Sequence, residues 1–351
     1  MNIKNKKMKL RVGVLGATGM VGQRFIESLE EHPWFEIEML AASEKSKGKM
    51  YKEVAKWYLS GEMPRDIAEM EVSGMDEEGR DEIFSSCDLD LAFSAIPSDI
   101  ALEVEAAFAH HIPVFSNTST YRMKEDVPLI IPEINPKQLD LIEKQKKNRS
   151  WNGFIVTNPN CTTIGFTIPL KPILDNFGIK AVHMASMQAL SGAGYDGVPS
   201  MAIIDNVIPF IKNEEEKVEE EALKILGAEF DICASCNRVN VMDGHTESVF
   251  VKTEKDFELD EVKRAMGNFK GLPQEMKLPT APKKPIIVFD QEDRPQPRKD
   301  RMLGNGMSVS VGRLKKKGKL LKFTCLSHNT IRGAAGASVL NAELAHKKGL
   351  F

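Results

Sequence analysis

The chain has 351 residues, 42% of them hydrophobic and 28% charged, with a formal net charge of −3. That length suffices for two domains with separate cores, and the composition is that of a globular protein rather than a low-complexity one. The near-neutral balance excludes a global field for nucleic acid, and the short lysine clusters at Lys4 to Lys9, Lys144 to Lys147 and Lys315 to Lys319 lack aromatic interleaving and read as solvated tails and loops.

The opening MNIKNKKMKLR is basic but has no apolar core, so a secretory signal is not expected. No apolar stretch reaches the roughly 20 residues that span a bilayer, which makes the expected location cytoplasmic with no membrane partner. LRVGVL (10–15) is an apolar strand running into GATGMVG, and QRFIESLEEH follows as a helix with Phe25, Ile26 and Leu29 on one face. FEIEMLAA (35–42) completes a βαβ unit. LDLAFSAIP (89–97), ALEVEAAFAHH (101–111) and IPVFSN (112–117) continue as strand, helix and strand. Buried, mostly non-alternating strands separated by helices predict an α/β domain with a parallel, doubly wound sheet of Rossmann type.

EKQKKNRSWNG (143–153) reads as a polar surface loop near a domain boundary. A second, α+β block follows. GFIVTNPN leads to Cys161, and TTIGFTIPLKPILDNFG predicts a helix with a proline pause. AVHMASMQAL (181–190) is a strand, SGAGYDG a glycine-rich loop, and EEEKVEEEALKIL (214–226) a charged amphipathic helix. Residues 231–252 predict strands around a turn at Asp243-Gly244. Cys233 and Cys236 form a lone CxxC without a second ligand pair, so no metal is expected, and the odd count of five cysteines fits a reducing compartment. DRPQPRKDR (293–301) is loop-like, MSVSVGRL and KLLKFTCLS pair as a hairpin, and NTIRGAAGASVLNAELAHKKGL closes the chain as a helix rich in small residues.

Gly16, Gly19 and Gly22 stand at the spacing of a dinucleotide-binding first βα turn, with Ala17, Thr18, Met20 and Val21 between them. Small residues there let backbone N–H groups and a helix N-terminus meet a pyrophosphate; a tight turn with close helix packing is the alternative. An NAD site ends its second strand in Asp or Glu. Here that strand ends in Ala41, Ala42 and Ser43, followed by EKSKGK. The Ser43 hydroxyl with Lys45, Ser46, Lys47 and Lys49 suits the 2′-phosphate of NADP, although Glu44 opposes it.

Cys161 begins a predicted helix over 162–170, where unpaired N–H groups would lower its pKa. His183, His245 and His328 are candidate bases, with His245 set on the Asp243-Gly244 turn. A thiolate beside a nicotinamide carrier points to acyl or aldehyde redox through a thioester, with a buried, inert Cys161 as the alternative.

Taken together, GATGMVGQRF, TNPNCTT, SMQALSGAG, GHT and HNTIRGAAG resemble the aspartate-semialdehyde dehydrogenases, particularly their archaeal and fungal-type branch, over nearly the whole chain. The resemblance implies an NADP-binding domain over 1–157, a catalytic and dimerisation domain over 158–326, and a C-terminal helix, 327–351, that returns to the first domain. It implies Cys161 as nucleophile, His245 as acid/base and Gln188 beside them. Arg238 would hold the substrate carboxylate, Glu214 and Lys217 its amine and phosphate, and Arg122 the phosphate, with Asn117 in the same pocket. Ser191, Gly192, Asn329 and Gly333 would lie along the cofactor. The implied reaction reduces L-aspartyl 4-phosphate to L-aspartate 4-semialdehyde with NADPH, in a homodimer or tetramer that binds no nucleic acid. Two other readings stand beside it: a malonyl-CoA or succinyl-CoA reductase using the same cysteine, and a non-catalytic dinucleotide sensor. N-acetyl-glutamyl-phosphate reductases share the plan but fit the glycine loop and the NTIRGAAG segment less well.

Overall fold

The computed structural model describes residues 9–351; Lys4, Lys6 and Lys7 of the first lysine cluster, and most of the basic opening segment, lie outside the described residues. The first half builds a wholly parallel sheet from β1 (Leu10–Leu15), β2 (Phe35–Ala41), β3 (Val72–Ser73), β4 (Leu91–Ser94), β5 (Val114–Ser116) and β6 (Ile155–Thr157). Its order is β3-β2-β1-β4-β5-β6. The order reverses between β1 and β4, which opens a crevice at the carboxyl ends of the strands. Around the sheet run α1 (Met20–Leu29), α2 (Glu77–Ser86), α3 (Ser98–Ala109) and α4 (Leu141–Arg149). Val12, Val14, Leu91 and Phe93 are fully buried, as strands covered on both faces must be.

A segment read as a loop is therefore helical. The three lysines and Arg149 give 143–153 its polar look, but Ile142 and Gln145, three apart on one face, are buried. The Gln145 amide also bonds the backbone of Asp126 and Ile155, and the helix stops at Ser150 in a left-handed conformation, φ 56°.

The second half holds α5 (Cys161–Phe177), β7 (Ile179–Gln188), α6 (Glu214–Leu226), β8 (Asp231–Arg238), β9 (His245–Thr253), α7 (Leu259–Gly267), β10 (Ile286–Val288), β11 (Val309–Lys317) and β12 (Leu320–Ser327). The six strands form a mixed sheet ordered β10-β11-β12-β9-β7-β8. Helix α5 extends past the first stretch, 162–170, and runs through Pro169 and Pro172 without the pause the sequence suggests. It lies buried against β7, β9, β11 and β12, and that packing outweighs the local cost of the prolines. Strands β8 and β9 flank the Asp243-Gly244 turn but do not pair with each other; both pair with β7. Along β9, His245, Glu247, Val249, Val251 and Thr253 face the covered side while Phe250 and Lys252 face out. On the opposite face of this sheet no helix among the described residues covers Lys180, His183, Cys233 and Phe250, which are exposed. Cys233 and Cys236 therefore point to opposite faces of β8, one exposed and one buried, and cannot clasp a metal together.

The closing helix is shorter than expected. Residues 328–334 make tight buried turns, and only α8 (Ala335–Lys347) is helical. It packs on α1 and β5, against the first sheet.

Candidate active site

Cys161 is the first residue of α5, directly after β6, and His245 is the first residue of β9. Their side chains meet with Sγ 3.2 Å from Nε2. The Ala189 N–H donates to His245 Nδ1 at 3.0 Å, so the neutral ring carries its proton on Nε2, aimed at the sulfur. Burial, with the nearby Arg238 and His328, holds His245 well below the ordinary histidine value. This histidine is therefore a neutral hydrogen-bond donor toward Cys161 at physiological pH.

The thiol departs from the sequence expectation. Cys161 is only partly covered as a residue, yet burial, seconded by Glu214, pushes its thiol up to about 12, against the pull of Arg238 and Arg122. The helix end that was to stabilise a thiolate is largely taken by another acceptor: the Asn160 side chain accepts from Thr162 N–H and Thr163 N–H at 2.9 and 3.2 Å, and the pull of the Thr162 N–H on the sulfur is weak beside burial. With that shift Cys161 rests as a thiol rather than a thiolate.

Arg238, at the end of β8, lies beside the pair, with Nη1 donating to Ala189 O at 2.6 Å. A Cβ on Gly192 would stand 2.9 Å from that nitrogen and 3.2 Å from His245 Cε1, so only glycine lets the SGAG loop close over the site. Gly333 makes the same allowance behind the nucleophile, since an added Cβ would lie 2.6 Å from Cys161 Cβ. Gln188 is buried and donates to Ser186 Oγ; the structure does not bring its amide to Cys161.

Next to Cys161 opens a pocket of about 320 Å³ lined by Val21, Ala95 to Ser98, Asn117 to Ser119, Arg122, Asn160 and Lys217. Arg122 and Lys217 bring two cations to it. Glu214, the first residue of α6, lies behind it and bonds Asn160 Nδ2 and Thr162 Oγ1. Arg122 donates to Asn117 O and to Glu221, a buried carboxylate that sequence reading missed, although it falls on the same face of α6 as Glu214 and Lys217. Asn117 receives Asn158 Nδ2 and Ser338 Oγ on its side-chain oxygen.

The glycine loop fits a dinucleotide. Gly16 has φ +83°, and a Cβ there would strike Ala95 O at 2.6 Å; one on Gly22 would lie 2.1 Å from Gly16 O. A Cβ on Gly19, the N-cap of α1, would instead make only an ordinary 3.5 Å contact with Gly16 O, and this helix end has no capping side chain and no acidic residue in the first turn. The N–H groups of Met20, Val21 and Gly22 are thus the unpaired donors of a helix terminus, which suits a pyrophosphate. Thr18 and Met20 face a neighbouring cleft shared with Ser191. Beyond β2, a cleft of about 460 Å³ is lined by Ser43, Glu44, Lys45, Asp76, Arg80 and Glu103. Two of the lysines read toward a 2′-phosphate do not line it and are engaged by the protein: Lys47 is held by Glu78, Glu82 and Asp76, and Lys49 donates to Lys45 O. Ser46 is buried and does not line the cleft, whereas Arg80, which the sequence did not single out, does. Asn329 acts as a strut, donating to Ser191 Oγ and accepting from Gly244 N–H.

Comparison with known proteins agrees with this geometry. Residues 11–142 match the family model of the semialdehyde dehydrogenase NAD binding domain, and residues 170–332 that of the semialdehyde dehydrogenase dimerisation domain. The chain is 54% identical to an aspartate-semialdehyde dehydrogenase of Methanothermobacter thermautotrophicus, over 96% of this chain and 99% of the relative. It is 56% identical to that of Archaeoglobus fulgidus, over 97% and 99%. A malonyl CoA reductase (NADP) of Metallosphaera sedula is 42% identical over 97% and 98%. Among solved structures, aspartate semialdehyde dehydrogenase with NADP from Candida albicans superposes with a TM-score of 0.87 at 38% identity, covering 98% of this chain and all of the other. The chain belongs to the aspartate-semialdehyde dehydrogenase family, in the branch that holds its archaeal and fungal members.

Proposed function

We infer that this protein reduces L-aspartyl 4-phosphate to L-aspartate 4-semialdehyde with release of inorganic phosphate, a step shared by lysine, threonine and methionine biosynthesis. The observation that carries the reading is the Cys161 Sγ–His245 Nε2 contact of 3.2 Å, set between Arg238 and the pocket of Arg122 and Lys217. Arg238 presents a guanidinium fork to the substrate α-carboxylate, with Glu214 on the amine. Cys161 sulfur attacks the acyl carbon, whose C–O bond to the phosphorus-bound oxygen breaks; the thiol proton passes to the departing phosphate, which leaves as hydrogen phosphate into the cations of Arg122 and Lys217. A thioester on Cys161 results. NADPH, when bound at the glycine loop, supplies the hydride that reduces this acyl group. His245 Nε2–H then serves the oxygen of the thiohemiacetal on Cys161, and collapse returns the thiol and frees the aldehyde. Gln188 enters this scheme as a neighbour that orders β7 through Ser186. Ser43 and Lys45, joined by Arg80, select NADP over NAD, and Asn329 and Gly333 shape the nicotinamide end.

The same reading divides the chain into an NADP domain (1–157), a catalytic and dimerisation domain (158–326) and a returning C-terminal segment (327–351). The helix-free face of the second sheet supports a homodimer, which can pack further into a tetramer. Among the described residues no helix is long and apolar enough to cross a membrane, in keeping with a cytoplasmic enzyme of small molecules.

The test is NADP+ reduction with L-aspartate 4-semialdehyde, with and without inorganic phosphate, for wild type and Cys161→Ala. A phosphate-dependent rate lost in the variant is expected. Phosphate-independent behaviour with reductive turnover of malonyl-CoA or succinyl-CoA would replace the substrate, and NADP(H) binding without turnover would replace catalysis by sensing.

A further inference from the structure

Helix α6 presents Glu214, Lys217, Glu221 and Lys224 at the spacing of one face, and each reaches a part of the active site or the loop beside it. Three of the four have a place in the reading above or an evident local partner: Lys224 Nζ donates to Arg122 O at 2.6 Å and to Lys124 O at 3.2 Å. Glu221 is different. Its side chain is 3% exposed, and its two oxygens are divided between two unlike groups. One accepts from Arg122 Nη1 at 2.9 Å; the other accepts from the backbone N–H of Asn160 at 2.6 Å.

Building on the proposed function, we propose that Glu221 is a positioning residue that locks the phosphate-side arginine and the nucleophile's helix N-cap into one rigid unit. Arg122 sits on the loop after β5, in the first half of the chain, while Asn160 is the residue immediately before Cys161. One buried carboxylate from the second half spans both. Asn160 is then held at its backbone by Glu221 and at its side chain by Glu214, and its own amide oxygen fixes the first turn of α5. Arg122 is fixed by Glu221 and by Asn117 O, which leaves its buried Nε–H without a partner in the protein. That donor is the one a phosphate oxygen would satisfy. Because the Asn160 N–H is already engaged by Glu221, it is not a donor for the reacting oxygen, and its role is to place Cys161.

Glu221→Gln tests this, because an amide at that position must set its NH2 against either Arg122 Nη1–H or Asn160 N–H, donor against donor. Phosphate-dependent NADP+ reduction is measured with L-aspartate 4-semialdehyde, and alkylation of Cys161 by iodoacetamide is followed by peptide mass spectrometry with inorganic phosphate as protectant. The KM for phosphate should rise about tenfold, with the half-protecting phosphate concentration rising in step and kcat falling. NADP+ affinity should stay within about twofold, since Glu221 does not touch the glycine loop. Glu221→Asp keeps the charge but shortens the span, and should fall between the two. Unchanged phosphate KM and protection in Glu221→Gln would overturn the inference alone. A joint collapse of melting temperature and NADP+ affinity in both variants would also overturn it, by making the role merely structural. A wild type without phosphate-dependent turnover would remove the functional reading and this inference together.

Discussion

Replacing Glu214 with Gln should make Cys161 react faster with iodoacetamide, even as it impairs the enzyme. The resting thiol is pushed up to about 12, three units above its ordinary 9.0, first by burial and then by the Glu214 carboxylate. At pH 8 that leaves roughly one thiolate in 10⁴, against about one in ten for an ordinary thiol of that value. Removing a like charge from a partly enclosed site recovers about one unit, so alkylation should accelerate about tenfold. Gln can still accept from Asn160 Nδ2 and Thr162 Oγ1 at Oε1, so the local geometry is retained. The assay follows alkylation at peptide level from pH 7 to 10, with the exposed Cys233 as an internal reference. An unchanged or slower rate in the variant would refute the electrostatic account. So would a wild-type profile that levels off below pH 8, the mark of a resting thiolate–imidazolium pair.

Gly22→Ala should abolish NADP+ binding and destabilise the first domain, because the new methyl would stand 2.1 Å from Gly16 O; fluorescence titration and melting read both. Buried Glu247 bears on pH. Burial raises it to about 8 from 4.5, so the folded chain holds a proton that the unfolded chain releases. Stability should therefore fall as pH rises from about 4.5 to about 8, by up to roughly 5 kcal/mol, and level off on either side. Glu247→Gln should remove that slope in urea titrations at pH 5 and pH 8; a parallel fall in the variant would assign it to other groups. Lys45→Ala and Arg80→Ala should each weaken 2′,5′-ADP relative to ADP about tenfold by calorimetry, whereas Lys47→Ala, whose amine is already held by three carboxylates, should not.

Much of this was legible because strands and helices in the first half carry strong local signals. LRVGVL, GATGMVG and the amphipathic run after them specify a strand, a turn and a helix with little help from elsewhere. Cys161 and His245 could be named because each sits at the start of an element, where side chains project from an end rather than a face. What escaped notice depends on partners distant in sequence. Residues 143–153 look like a loop until Gln145 meets the backbone of Asp126 and Ile155 and sets 141–149 as a helix. The thiol's state could not be read from a helix start, because it turns on whether Asn160 or a sulfur anion takes the free N–H groups. Glu221 was one of six glutamates in EEEKVEEE, and only its helical spacing from Glu214 and Lys217 set it apart, a signal that says which face it shares and not which partners bury it.

The return of α8 to the first sheet also constrains how the molecule is made. His32 Nε2 meets Glu343 Oε1 at 2.8 Å across 311 residues, and Arg24 Nε meets Thr330 Oγ1 across 306. On the ribosome the parallel sheet emerges early but lacks the helix that covers α1 and β5 until translation is nearly finished. During that interval a largely apolar surface waits for its cover, and such long-range closure is intrinsically slow. Gly333, just before α8, also backs onto Cys161, so the nucleophile is seated only when the last stretch of chain docks. A nascent or truncated product therefore has no completed thiol site with which to react.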